Sequence, residues 1–160
     1  AGNEPPAGTN VIKLSDGQVV ALAGGTGAVV RFDRSKDDKE WKFAPANLAA
    51  EFKGYDLDKA GNPTFRSAGE GVTLSDAWAP AAGAKSALTR TLKAGGDKPL
   101  VITLARDLAV TGPTDGAVEL AGGLLVRSVS GPALQADAAT KTLTLTLKPG
   151  ETAVLGYSFR

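Results

Sequence analysis

The amino-acid sequence predicts an all-β protein folded as an antiparallel β-sandwich of about a dozen short strands. Polar and apolar residues alternate with period two in several runs, most strictly in Thr142–Lys148, where three leucines alternate with three threonines. Turn sequences rich in Gly and Pro divide the chain at intervals of roughly 8–12 residues. No segment repeats its apolar residues with the 3.6-residue period of an amphipathic helix.

The first third of the chain is expected to form an arm followed by four strands. Residues Ala1–Asn10 are polar and rich in Pro and Gly, which is typical of an extended arm. The remaining residues, 11–160, contain no linker and are predicted to form a single sandwich domain. The first strands, separated by turn sequences and the charged loop Arg34–Glu40, are Val11–Leu14, Gln18–Ala23, Ala28–Asp33 and Trp41–Phe43.

The rest of the chain continues the same pattern of short strands and turns. Leu100–Ala105 is the most continuously apolar run and is therefore predicted to be a central strand. The predicted strands are Phe52–Asp58, a return strand from Pro63, Val72–Trp78, Ser86–Lys93, Leu100–Ala105, Leu108–Val110, Ala117–Ala121, Leu124–Ser130, Ala133–Ala136, Thr142–Lys148 and Thr152–Phe159.

A hairpin is predicted around Asp58–Gly61, whose sequence suits a type I turn followed by a glycine at positive φ. Pro63 then opens the returning strand, where a missing N–H group is tolerated. Asp56 is expected to pair with Arg66 or to cap turn amides. Tyr55 shares its strand face with Leu57, which favours burial of both side chains.

The run Phe52–Phe65 resembles a known sequence signature. Its residues Phe52-Lys53-Gly54-Tyr55-Asp56-Leu57-Asp58, Gly61 and Pro63-Thr64-Phe65 match the pattern F-[KR]-G-Y-x-L-D-x-x-G-x-P-T-F. That signature belongs to a β-sandwich module of large exported planctomycete- and verrucomicrobia-type proteins, beside c-type cytochrome and sugar-dehydrogenase-like domains. The resemblance implies a sandwich fold near redox proteins, and it implies no catalytic residue.

Composition excludes several classes of function. Lys and Arg number 18 against 17 Asp and Glu, and no basic run exceeds one residue, which argues against binding of nucleic acid or anionic membranes. Cys, His and Met are absent, so the chain forms no disulfide, no thioether-linked haem and no Cys/His metal site. No apolar run reaches the roughly 20 residues of a membrane span. The opening Ala-Gly-Asn-Glu-Pro-Pro is typical of a chain processed after export.

Two motifs imitate ligand-binding loops. Gly24–Gly27 lacks the Gly-Lys-Ser/Thr ending of a phosphate loop, and no helix is predicted after it. Asp56–Gly61 imitates the start of a calcium loop, but Ala60 and Ser67 stand where oxygen ligands are needed. We therefore interpret both as hairpin loops and predict no metal site and no cofactor.

The aromatic residues are the remaining candidates for binding. Trp41, Tyr55 and Trp78 would suit sugar stacking if exposed, although rings in such a fold usually lie in the core. A glycosidase-like pair of carboxylates is compatible with the composition, but no spacing points to one. The predicted partner or ligand contacts are Trp41 and Trp78 in the domain and Asn3, Pro5 and Pro6 in the arm.

Three functions follow, in order of preference. The first is a non-enzymatic, extracytoplasmic structural subunit that docks onto a larger protein assembly, a redox or cytochrome-containing one by the resemblance. A flexible arm suits this role because it can cover a large surface of a partner. The second is a carbohydrate-binding module, and the third is a small hydrolase that uses paired carboxylates.

Overall fold

The protein is an antiparallel β-sandwich, as the sequence predicts. The computed structural model describes the backbone of residues 9–13, 19–23, 29–34, 39–43, 50–81, 88–106, 109–121 and 123–159, and most side chains from residue 53 onward within those ranges. No helix occurs in these ranges, and so none that is long and apolar enough to cross a membrane.

Fifteen strands follow one another along the described chain. Their bounds agree with the predicted strands to within a few residues at most positions. The strands are β1 Thr9–Lys13, β2 Val19–Ala23, β3 Val29–Arg34, β4 Lys39–Phe43, β5 Ala50–Leu57, β6 Pro63–Gly69, β7 Val72–Pro80, β8 Leu88–Gly96, β9 Leu100–Arg106, β10 Val110–Thr114, β11 Ala117–Leu120, β12 Leu124–Ser130, β13 Gln135–Asp137, β14 Thr142–Leu147 and β15 Thr152–Phe159.

The strands form three hydrogen-bonded sheets in which every pairing is antiparallel. An eight-stranded sheet has the order β10-β11-β12-β15-β8-β7-β6-β5, and a three-stranded sheet has the order β13-β14-β9. Strands β1 to β4 form a four-stranded meander. Strand β1 begins at Thr9, two residues before the predicted start of the domain.

One continuous core joins the eight-stranded and three-stranded sheets. In β14 the three leucines Leu143, Leu145 and Leu147 are fully buried, while the threonines between them are half-buried. Each leucine removed from water in this way stabilises the fold by about 1.5–3 kcal/mol. The strict alternation in the sequence therefore fixes which face of β14 points into the core.

The β5–β6 hairpin has the turn that the sequence predicts. The N–H of Gly61 donates to the carbonyl of Asp58 at 3.0 Å, and Gly61 has a φ of +90°. The Asp58 carboxylate oxygen Oδ1 also accepts from the N–H groups of Ala60 and Asn62, both at 2.9 Å. Glycine suits this turn because it adopts positive φ without steric strain.

Two local predictions are wrong. Leu100–Ala105 belongs to β9, which is the outer strand of its sheet among the strands described. At the start of the strand the buried Leu100 and Ile102 alternate with Val101, which is 48% exposed. A continuous apolar run therefore does not indicate that a strand has neighbours on both sides. The second error concerns the strand predicted to end at Val110: β10 continues to Thr114, and the turn lies at Asp115 and Gly116.

Candidate functional site

The predicted contact residues fall in different parts of the molecule. Trp78 lies in β7 with 1% of its surface exposed. Trp41 lies in β4, where the structure describes the backbone but not the side chain. Asn3, Pro5 and Pro6 lie outside the described residues. The structure therefore gives side-chain geometry for only one of the five, and that one belongs to the core.

Trp78 packs in a buried aromatic and cationic cluster. Its ring centroid lies 5.2 Å from that of Tyr157, with an angle of 37° between the rings. The Arg90 guanidinium carbon lies 4.7 Å from the Trp78 centroid, which is a cation–π distance. A ring enclosed in this way has no exposed face on which a sugar could stack.

Arg90 is the centre of this cluster and is fully buried. Its Nε and Nη2 atoms donate to the two carboxylate oxygens of Asp76 at 2.7 and 2.5 Å, and its Nη1 donates to the Tyr157 hydroxyl at 3.0 Å. Asp76 is 3% exposed. The paired geometry satisfies both charges, which is the condition under which buried ions are tolerated.

The strand registers explain how these side chains meet. In β7 the inward positions run through Val72 and Leu74 to Asp76 and Trp78, and in β8 Arg90 occupies the inward position between two leucines. Trp78 lies directly opposite Arg90, and Asp76 lies diagonally across from it. The period-two pattern of the two strands is sufficient to put Asp76 and Arg90 on the core face. Neither residue was predicted to be buried, because charged residues are rarely fully buried.

The burial of the cluster changes its proton affinities. Burial alone lowers the pKa of Arg90, but the Asp76 charge and its hydrogen bonds, with help from Tyr157, outweigh it and raise the pKa overall. Burial raises the pKa of Tyr157 above its ordinary value of 10.0, opposed in part by Arg90. Arg90 therefore stays charged, and the Tyr157 hydroxyl stays protonated at neutral pH. The cluster thus holds a fixed charge distribution inside the core.

A second feature lies at the outer strand β5. Tyr55, Phe65, Asp76 and Leu92 are cross-strand neighbours on the inner face of β5, β6, β7 and β8. Along this row the exposed fraction is 38% for Tyr55 but only 3% for Phe65 and 0% for Leu92. Leu57 on the same strand is 54% exposed. The inner face of the sheet therefore extends beyond the core at β5.

This exposure corrects the prediction that Tyr55 and Leu57 are buried. The two residues do share a face, and Tyr55 contacts Phe65 edge to face with centroids 6.1 Å apart. They remain accessible because β5 ends the eight-stranded sheet among the described strands. A β-bulge between Phe52 and Gly54 also shifts the register of β5 against β6.

The opposite face of the hairpin carries an exposed ion pair. Arg66 Nε lies 2.8 Å from the Asp56 carboxylate, with the two side chains 50% and 69% exposed. This contact confirms the predicted pairing of Asp56 with Arg66. The capping of turn amides, which the sequence offered to Asp56 as the alternative, is carried out by Asp58.

No cluster of three or more potential metal ligands occurs within the part of the chain that the structure describes. The Asp58 carboxylate, which the calcium-loop comparison would require as a ligand, accepts two hydrogen bonds from its own turn. That bonding accounts for the Asp-rich sequence of the hairpin as turn chemistry.

Comparisons with known proteins give no match, either among family models or among curated proteins. The likeness of residues 52–65 to the sandwich-module signature therefore depends on those residues alone. The functional argument depends on the geometry of the sheet edges and faces.

Proposed function

We propose that this protein is a non-enzymatic docking subunit that binds a larger protein through the edge strand β5. The single observation that carries this proposal is the uncovered inner face at β5, where Tyr55 and Leu57 remain exposed beside the buried Phe65. An outer strand offers backbone N–H and C=O groups to a partner strand, and exposed apolar side chains beside it add contact area.

The described geometry supports a binding role over a catalytic one. The best-organised polar cluster, Arg90 with Asp76 and Tyr157, is enclosed in the core and satisfies its own hydrogen bonds. The exposed acid Asp56 is paired with Arg66, and the Asp58 carboxylate accepts hydrogen bonds from the amides of its own turn. These acids are already engaged within the fold, whereas no strand among those described pairs with the outer edge of β5.

The kind of docking partner, and its location outside the cytoplasm, are proposed from the resemblance of residues 52–65 to the sandwich-module signature. That signature accompanies cytochrome and sugar-oxidising domains in exported proteins, so the proposed partner is a redox assembly outside the cytoplasm. The chain contains no Cys or His of its own to hold haem, so a redox centre would belong to the partner. The polar residues 1–8 would add contacts to the same partner.

The carbohydrate-binding alternative has less support. It relied on aromatic platforms, and Trp78 is enclosed between Tyr157 and Arg90. Tyr55 keeps 38% of its surface exposed but already contacts Phe65 with its ring. A sugar-dependent change in Trp fluorescence of the isolated protein would favour this alternative.

Co-purification from the native source tests the docking proposal. We expect the tagged wild-type protein to elute with a defined partner chain, and Leu57→Lys to lose that partner because a charge at the contact would be desolvated. Val129→Lys is the matched control, since Val129 is also an exposed apolar strand residue, 62% exposed on β12. The control should keep the partner.

Two outcomes contradict the proposal. In the first, the wild-type protein elutes alone at physiological salt. In the second, Leu57→Lys and Val129→Lys lose the partner to the same extent. The thermal midpoint of each variant is measured beside the wild type, because a fold defect would also reduce binding. Since Leu57 and Val129 are both exposed, we expect those midpoints to change little.

A further inference from the structure

The backbone of β5 directs hydrogen-bonding groups to the sheet edge at the same residues whose side chains are exposed. At the end of the strand the N–H of Asp58 donates to the carbonyl of Asn62 at 2.9 Å, so the backbone groups of Asp58 point towards the returning strand. In an antiparallel pair these groups point to alternate sides at successive residues. Those of Asp56 therefore point towards β6, and those of Tyr55 and Leu57 point to the outer edge.

Two contacts with β6 support this assignment. Leu57 lies opposite Pro63, which has no N–H, and the assigned directions make this a non-hydrogen-bonded pair in which none is needed. Tyr55 lies opposite Phe65 in the next pair of the same kind, where side chains approach more closely, and the two rings meet edge to face. Among the strands described, only β6 pairs with β5.

The stretch of β5 that an added strand could follow is short. The bulge between Phe52 and Gly54 breaks the register on one side of it, and the turn begins at Asp58 on the other. An incoming strand can therefore pair in continuous register only with Tyr55–Leu57. Within this stretch, the outward backbone groups and the exposed apolar side chains belong to the same residues, which are 38% and 54% exposed.

The opposite edge of the eight-stranded sheet is less suited to an added strand. Strand β10 contains Pro113, and its register against β11 shifts between Thr111 and Thr114. A proline lacks a backbone donor, and an irregular register twists a strand away from a neighbour, so both features disfavour pairing. Of the two edges, β5 is therefore the one that favours a further strand.

We propose that the partner binds as an extended peptide segment that adds to β5 as a further antiparallel strand. This inference rests on the docking function proposed above and specifies the chemistry of the partner. Apolar side chains lie opposite Tyr55 and Leu57, and the residue opposite Asp56 is not acidic, because like charges directly opposite each other destabilise a strand pair. A second copy of this chain fits less well, since the antiparallel register that uses both outward-facing residues sets Asp56 against its own copy.

The test adds the synthetic peptide acetyl-Lys-Thr-Val-Thr-Val-Thr-Lys-amide to the isolated full chain and follows amide signals by nuclear magnetic resonance. In the free protein, the Asp56 amide should exchange with solvent more slowly than the amides of Tyr55 and Leu57. We expect the peptide to bind in about the millimolar range, because few residues pair. At about five times the dissociation constant, it should slow amide exchange at Tyr55 and Leu57 about sixfold.

N-methylation of the peptide provides the matched control. A methyl group on the nitrogen of either valine removes a donor that faces β5, and it should weaken binding about tenfold. The N–H of the central threonine faces away from β5 in the proposed register. A methyl group on that nitrogen should therefore leave the affinity within about twofold of the unmodified peptide.

The inference is overturned if the peptide does not bind, or if it shifts the signals of Tyr55 and Leu57 without slowing their exchange. Equal weakening by the valine and threonine methyl groups would contradict the proposed register. A dimer of the isolated chain that Leu57→Lys dissociates would identify a second copy as the occupant instead. The peptide experiment uses no native partner, whereas the docking function fails only in the co-purification experiment, so the two failures are distinguishable.

Discussion

Two Arg–Asp ion pairs of similar length lie in one sheet but in opposite environments. Arg90 and Asp76 meet at 2.5 Å with side chains 0% and 4% exposed, whereas Arg66 and Asp56 meet at 2.8 Å with side chains 50% and 69% exposed. Both join neighbouring strands of the eight-stranded sheet. Distance alone therefore does not distinguish them, and their energetic roles follow from burial.

Arg90–Asp76 is the inner pair and Arg66–Asp56 is the outer pair. Because the inner pair is buried, the stability of the core depends on both of its charges, whereas a residue of the outer pair can be replaced with little loss of stability. Removing either partner of a buried pair leaves an uncompensated charge in a medium of low dielectric constant. Removing one partner at the surface exposes the other to water, which solvates it readily. The same chemistry thus specifies the arrangement of β7, β8 and β15 inside the core, while outside it the Asp56–Arg66 contact remains exposed to solvent.

The largest expected effect comes from breaking the inner pair. Asp76→Ala leaves Arg90 buried without its carboxylate and should reduce the free energy of unfolding by about 3–5 kcal/mol. Urea unfolding followed by circular dichroism measures this change.

The double variant Asp76→Leu with Arg90→Met sharpens the interpretation of that loss. It replaces both charges by apolar groups, so it should recover most of the lost stability. If the double variant is as unstable as Asp76→Ala, shape in this part of the core matters more than charge, and the comparison of the two pairs fails.

The next effect concerns the hydrogen bond between Arg90 and Tyr157. Tyr157→Phe removes an acceptor from a charged donor and should cost about 1–3 kcal/mol at neutral pH. Because the folded pKa of Tyr157 is raised above 10.0, its proton stabilises the fold fully below pH 10, and this contribution is lost as pH rises further. The wild type should therefore lose stability on raising the pH above 10 more steeply than Tyr157→Phe does, as urea midpoints across that range would show. Parallel pH dependence in the two proteins would contradict the raised pKa.

The smallest effect is expected at the outer pair. Asp56→Asn should change the free energy of unfolding by only about 0–1 kcal/mol, and added salt should reduce the difference because exposed charges are screened. Urea midpoints at low and high salt provide the measurement. A loss comparable with that of Asp76→Ala would mean that exposure does not separate the two pairs.

Local chemistry was sufficient to predict much of the fold and the outer pair. The alternating leucines of β14 determine its inward face, and the Asp58–Gly61 sequence determines the turn beneath Asp56 and Arg66. These features depend on residues close together in the sequence. The same locality made the Asp56–Arg66 contact a reasonable expectation, since a hairpin brings its two strands into register.

The inner pair and the docking edge depend on sheet order, which local patterns do not contain. The alternation placed Arg90 on the face of Leu88 and Leu92, but its partners lie on two other strands, 14 and 67 residues away. Tyr55 and Leu57 have the pattern of a core strand, and they are exposed because no described strand follows β5 in the sheet. Apolar residues at an edge and in a core are alike until the sheet order is known.

The position of β15 has a consequence for how the molecule assembles. Within the eight-stranded sheet, β15 lies between β12 and β8, so two groups of consecutive strands are joined only by it. Strands β5 to β8 pair in chain order and can associate as soon as they are synthesised, because each hairpin closes a short loop. The sheet becomes continuous only when Thr152–Phe159 enters between the two groups, which requires closure of a long loop back to β8. During synthesis on a ribosome, the unfinished chain would therefore present the open edges of β8 and β12 until Thr152–Phe159 had emerged. A chaperone that covers such edges would protect the chain from aggregation at that stage.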